Sequence, residues 1–321
     1  MTALARGSVV VVAGGAGFIG SHLCERLLAD GYRVVAVDNL STGSRDNLAH
    51  LPVGEGLTVV DGDIVSTETM AYLDDVVDRN DVSAVLNFAS PASPPAYLAR
   101  PLETLAVGST GTCNLITYAL LCDARFLMAS TSEVYGDPLE HPQSERYWGN
   151  VNPIGERSVY DEAKRFSEAL VAAHERSVGL DARIVRIFNT YGPRMRPDDG
   201  RVVTNMVHQA LAGQPLTIYG DGSQTRSFCY VADEVDGIVR LLQSDVRGPV
   251  NIGNPHESTI RELADVIADV IDVELSISYL PLPSDDPKVR RPDIGRATEL
   301  LGWEPQVPLA AGIRLMVESL R

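Results

Sequence analysis

The chain has 321 residues, 45% of them hydrophobic, enough to bury a sizeable core as two connected lobes. Its formal net charge of −16 argues against nucleic acid and anionic membrane surfaces as partners, since both would repel it. The four cysteines form no CxxC and sit in apolar contexts, which predicts buried free thiols in a reducing compartment; the six histidines show no ligand spacing such as HExxH, so no metal is expected.

The first apolar run, 8–13, is too short to span a bilayer and leads straight into glycines. It reads as a strand and not a signal peptide, and the chain is expected to be cytoplasmic. Gly14, Gly17 and Gly20 follow, with Phe18 and Ile19 between them, before a helix through residue 30. Glycines there permit a tight turn and close backbone approach, and the helix amino terminus offers free N–H groups to a pyrophosphate. A second strand, 33–37, ends in Asp38, placed to hold a ribose 2′-hydroxyl; its charge would repel a 2′-phosphate, so NAD is expected over NADP.

Further strands are predicted at 57–60, 84–88, 125–129 and 182–187, with helical stretches including 66–79 and 102–121. Strand alternating with helix implies right-handed crossovers and a parallel, Rossmann-type doubly wound α/β sheet. Asp63-Ile64 falls at a strand end near the expected adenine. The proline-rich run 89–95 is expected to be non-helical, a rigid loop beside the nicotinamide.

Ser130-Thr131-Ser132-Glu133 follows the fifth strand, at the carboxyl edge where open parallel sheets bind ligands. Tyr160 and Lys164 stand four apart in a helical pattern that continues through 174, so both side chains point one way. The chain has two lysines, Lys164 and Lys288, and every other basic residue is arginine. Keeping Lys at 164 suggests a need for a compact ammonium that a forked guanidinium cannot imitate.

After residue 188 the character changes. A loop rich in Pro, Gly and Asp at 189–200 precedes a helix at 203–213, a strand at 216–219, helices at 231–243 and 259–271, a strand at 276–280 and a charged loop at 285–293. The expected division is an NAD-binding domain over 1–188, to which 228–255 returns, and a smaller interleaved substrate-binding lobe over most of 189–321.

These motifs together resemble the extended short-chain dehydrogenase/reductase superfamily over nearly the whole chain. Within it, the runs 89–95, Ser130-Thr131-Ser132-Glu133-Val134-Tyr135-Gly136, 141–145, 152–155, 199–203 and 291–294 are most similar to the UDP-glucuronate decarboxylase (UDP-xylose synthase) family. Related dehydratases carry Asp where Ser132 stands, and that acid expels water; keeping Glu133 without it suits loss of CO₂. The resemblance implies that Tyr160 takes the C4 hydroxyl proton while NAD accepts the C4 hydride. The 4-ketone is β to the carboxylate, so CO₂ leaves, C5 is reprotonated and the ketone is reduced to UDP-xylose. A phenol near ~10 must fall about 3 units to act near neutrality, roughly 4 kcal/mol, which a partly buried Lys164 beside the nicotinamide would supply.

By the same resemblance Thr131 bonds the C4 oxygen, and Ser132, Glu133 and Arg290 surround the carboxylate and C5. Asn39, Ser41, Thr42, Gly43, Ala89, Ser90 and Thr190 join the cofactor site. Asn189, Arg201, Arg226 and Arg290 hold the diphosphate, Thr217 to Tyr219 reads the uracil edge, and Ser90 also touches substrate. Relatives carry His where this chain has Phe88 and Asn where it has Gly108, which puts the NAD contacts there in question. A homodimer built on the 102–121 helix and the Tyr160 helix is implied. The alternatives are a nucleotide-sugar 4,6-dehydratase or 4-epimerase, a decarboxylase releasing the UDP-4-keto-pentose, and a non-catalytic NAD sensor, against which Tyr160 and Lys164 argue.

Overall fold

The computed structural model describes residues 4–274, 276–281 and 289–321; the expected charged loop is therefore described only from 289, and Lys288 lies outside the described residues. The first half alternates strand and helix: β1 Val9–Ala13, α1 Phe18–Ala29, β2 Arg33–Asp38, β3 Leu57–Asp61, α2 Thr67–Val76, β4 Val82–Asn87, α3 Pro94–Ala99, α4 Pro101–Ala106, α5 Thr112–Leu121, β5 Arg125–Thr131, α6 Ser158–Val178 and β6 Ala182–Ile187. The second half holds β7 Thr190–Tyr191, α7 Val202–Leu211, β8 Leu216–Tyr219, β9 Thr225–Ser227, β10 Cys229–Tyr230, α8 Val231–Gln243, β11 Pro249–Ile252, β12 Glu257–Thr259, α9 Ile260–Ile271, β13 Ile277–Leu280, α10 Gly295–Leu301 and α11 Leu309–Ser319.

Among the described residues a 7-stranded sheet runs β11-β6-β5-β4-β1-β2-β3, each neighbouring pair parallel. All five residues of β1 are buried because helices cover both faces, which is why the strand reads as an unbroken apolar run. Val10 and Val12 enter one core, and Val9, Val11 and Ala13 enter the other, as period-2 alternation requires. The first core continues through Tyr191, Met206, Ile218 and Ile267, so both halves of the chain share it. The stretch 228–255 supplies α8 and β11, and β11 closes the sheet beside β6 with Val250 opposite Val185. In the second half β8 pairs with β13 and β9 with β12, while a capping box of Thr259 and Glu262 starts α9.

Three expectations need correction. Pro94 and Pro95 do not stay in a loop: they open α3, where a first-turn position has no use for the missing N–H. The predicted helix 102–121 is not uniformly α: it winds through a π-turn at Val107–Gly111, where the Ser167 hydroxyl donates to Gly108 O at 2.7 Å. Cys24 and Cys229 are buried free thiols, but Cys113 is exposed and Cys122 half-buried. No described helix is long and apolar enough to cross a membrane.

Candidate active site

Two adjoining cavities of about 370 and 190 Å³ run along the carboxyl edge of the sheet, sharing Gly14, Gly17, Ser41, Thr42, Phe88 and Ser90. One end is made by the turn between β1 and α1. Gly14 has φ +78, and a Cβ there would meet Phe88 backbone at 2.6 Å, so only glycine fits. Gly17 precedes α1 with no side-chain cap, leaving first-turn N–H groups facing the cavity that Gly17, Phe18, Ile19 and Gly20 line. Asp38, at the end of β2, accepts from Ala16 N at 3.0 Å and Leu40 N at 2.8 Å. Burial raises its carboxyl while those two N–H groups pull it down. Asn39 donates to Asp63 at 3.0 Å, and Ile64 lines the same end; Gly43 lies behind this wall, where a Cβ would come within 3.0 Å of Asp38. Ala89 joins the smaller cavity and Thr190 the larger.

At the other end β5 and α6 bring the chemistry together. β5 runs through Thr131, so Ser130 and Thr131 are strand residues with fixed directions, and Ser132 and Glu133 form the tight turn after it. Lys164 is buried and donates from Nζ to Ala129 O at 2.8 Å, which pins its ammonium beneath Tyr160, 5.9 Å from the ring centroid. Burial lowers Lys164 from the usual 10.5 to about 8. Tyr160 shares a hydrogen bond with the Thr131 hydroxyl, and its ring stacks on Tyr97 at 5.3 Å and 7°. Burial pushes the phenol up to about 12, against the opposing pull of Arg201 and of the bond with Thr131. Dehydration of the ring outweighs the cations the protein places around it; the lowering expected from the sequence counted a nicotinamide ring beside the phenol as well.

Glu133 is the most strongly held group. Its two carboxylate oxygens take both Nη atoms of Arg290, and Arg157 Nη2 adds a further bond at 3.0 Å. Burial would raise this carboxyl, but Arg290 and then Arg157 outweigh it and hold it at about 2. Arg157 carried no signal in the sequence: it stands just before α6 and reaches Glu133 only through the fold.

Asn189 and Arg201 line the larger cavity, and the Asn189 Nδ2 is buried without a protein partner, a donor aimed at no group of the chain. Arg201 also donates to Ala92 O at 3.1 Å across the cavity. Thr217, Tyr219, Arg226 and Arg290 do not line either cavity: Gln209 binds the Thr217 hydroxyl at 2.8 Å, Tyr219 is exposed and Arg226 donates to Thr225 O at 2.8 Å. Unforeseen lining residues are Asn47, Arg100, Arg194 and Arg196, spread over distant segments. Phe88 does line both cavities, whereas Gly108 sits away from them, packed on Ala163 of α6. The glycine cradle, the Asp38 carboxyl and the unsatisfied Asn189 amide suit a dinucleotide, and the described residues hold no cluster suited to a metal.

The sequence is 49% identical to UDP-glucuronic acid decarboxylase 1 of Arabidopsis thaliana over 97% of this chain and 69% of that one. UDP-glucose 4-epimerase of Thermotoga maritima has the same fold, with a TM-score of 0.89 and 28% identity over 98% of both chains. dTDP-glucose 4,6-dehydratase of Streptomyces venezuelae, solved with NAD bound, matches with a TM-score of 0.87 and 30% identity over 98% of this chain and 97% of that one. The sequence model of the NAD dependent epimerase/dehydratase family matches residues 10–253, and the chain belongs to that family.

Proposed function

We propose that the protein decarboxylates UDP-glucuronate to UDP-xylose with NAD as resident cofactor. The observation that carries this is the pairing of a Tyr160–Lys164 oxidation site with a Glu133 that Arg290 and Arg157 keep ionised. An ionised Glu133 cannot protonate a departing hydroxyl, and Ser132 is no carboxylic acid, so neither of the two residues after Thr131 can drive expulsion of water. The decarboxylase relative points to the same substrate.

Gly14, Gly17, Asp38 and Asp63 would hold the dinucleotide, with Lys164 and Tyr160 at its reactive end. When bound, NAD would supply the hydride acceptor at sugar C4, the hydride donor that reduces the C4 ketone again once CO₂ has gone, and a positive ring beside the phenol. Tyr160 takes the C4 hydroxyl proton and later returns it, while Thr131 fixes the oxygen between them. Lys164, mostly charged near neutrality, stabilises the phenolate. The C5–C6 bond then breaks, its electron pair passes into the ketone, CO₂ departs and one proton enters at C5. Ser132 and Glu133 line the cavity and are the groups we assign to the C5 and carboxylate end of the sugar, with Arg290 and Arg157 behind Glu133 holding it ionised.

The protein is also proposed to work as a cytoplasmic homodimer: Leu98, Leu102 and Phe166 are exposed on α3, α4 and α6, an apolar surface that a second copy would cover. Incubating the protein with UDP-glucuronate and NAD tests the activity. Product lighter by CO₂ supports it, whereas loss of water or an isomer of unchanged mass refutes it. Tyr160→Phe should lower turnover by about 10²–10⁴-fold.

A further inference from the structure

A second carboxyl group shares the buried space around Glu133. Asp161 follows Tyr160 in α6, is 6% exposed, and its Oδ1 is buried without a hydrogen-bond partner. The charged and titratable groups that act on it come from each element packed around it. They are Glu133 after β5, Arg157 before α6, Arg290 between β13 and α10, and Glu162 of α6; Tyr97 of α3 and Tyr160 lie in the same pocket. Arg157 already donates to Glu133 at 3.0 Å, so an ionised Asp161 would draw on a guanidinium that Glu133 uses.

We propose that Asp161 is a positioning residue for this reaction: neutral, it leaves Arg157 to Glu133 and keeps the Glu133–Arg290 pair in place; ionised, it competes for Arg157 and pulls that arrangement apart. The buried orphan oxygen supports this, because an ionised buried carboxylate normally gathers several donors. Burial, and then Glu133, push the Asp161 carboxyl up to about 7, so the exchange falls near neutrality. The positioning role rests on the decarboxylase reading; the competition for Arg157 does not.

The test compares wild type, Asp161→Asn, Glu133→Gln and the double variant, with Asp161→Ser carried alongside in case Asn perturbs folding. A carboxyl raised in the fold costs nothing below its ordinary range and progressively more as pH climbs to about 7. Asp161→Asn should therefore raise the melting temperature at about pH 8 by about 3 °C, and by less at about pH 4. That gain should shrink by about half or more when Glu133 is already Gln, because Arg157 is then available to Asp161. In turnover of UDP-glucuronate, the alkaline limb of kcat/KM should move up by about one pH unit. Additive melting shifts overturn the competition, and an unmoved limb overturns the positioning role. Melting needs no substrate, so a wild-type protein inert toward UDP-glucuronate would sink the decarboxylase reading while the melting cycle still judges Asp161.

Discussion

Replacing Glu133 with Gln preserves shape and removes one charge, which isolates what the carboxylate does for the fold. Both its oxygens are taken by guanidinium groups, and the side chains of Arg290 and Arg157 are 5% and 19% exposed. Gln would leave two buried cations facing an amide. Breaking a buried pair by removing one partner costs about 3–5 kcal/mol, because the remaining charge stays desolvated. Unfolding entropy near 2.1 cal/mol/K per residue gives about 0.7 kcal/mol per kelvin for a chain of this length, so the melting temperature should fall by about 4–7 °C. The sign with pH is also fixed. A carboxyl held at about 2 in the fold stabilises fully above the ordinary 4.5 and loses that contribution as pH falls from there toward 2. The gap between wild type and Glu133→Gln, followed by scanning calorimetry, should be widest near neutrality and narrow through that acid window. A drop of less than about 1 °C at neutral pH would show that water, and not Glu133, satisfies these guanidinium groups.

Gly108→Asn installs the residue that the family resemblance leads one to expect there, yet it should harm this protein. A Cβ at 108 would stand 2.7 Å from Ala163 Cβ and 3.0 Å from Ala163 O, in the turn of α6 between Tyr160 and Lys164. A loss of about 1–3 kcal/mol in denaturant unfolding, with reduced kcat, is expected; unchanged stability would mean that α5 and α6 can separate freely. Lys164→Met should abolish turnover by about 100-fold or more without lowering the melting temperature at neutral pH. A buried lysine lowered to about 8 burdens the fold below that pH and is relieved only as pH rises toward 10.5. A clear fall in melting temperature would show that the bond to Ala129 outweighs that burden.

Much of the sheet and the catalytic pair was legible because both rest on local pattern. β6, β8 and α8 have the bounds that apolar runs and turn residues announce, and Tyr160 and Lys164 share a face because helical spacing requires it. The Pro94-Pro95 start of α3 was misread because proline marks both loops and first helical turns. What the chain could not announce is long-range: Arg157 meets Glu133 across 24 positions and Arg290 across 157. The same limit hid how far the fold dehydrates Tyr160, since that depends on what packs around the ring, Tyr97 included. Thr217, Tyr219 and Arg226 matched a pattern, yet their side chains lie outside the cavity walls.

The strand β11 has a consequence for how this protein can be cut and rejoined. It arrives from beyond the second half's first helix and strand pair, yet it is the sole described cover for the outer edge of β6. A fragment ending at residue 188 would present a bare row of N–H and C=O groups from Ile184 to Ile187, a template for intermolecular strand addition. The dinucleotide half is thus no transferable cassette. Fusions or split-protein designs that keep 249–252 attached should remain dispersed, where a simple severance would clump.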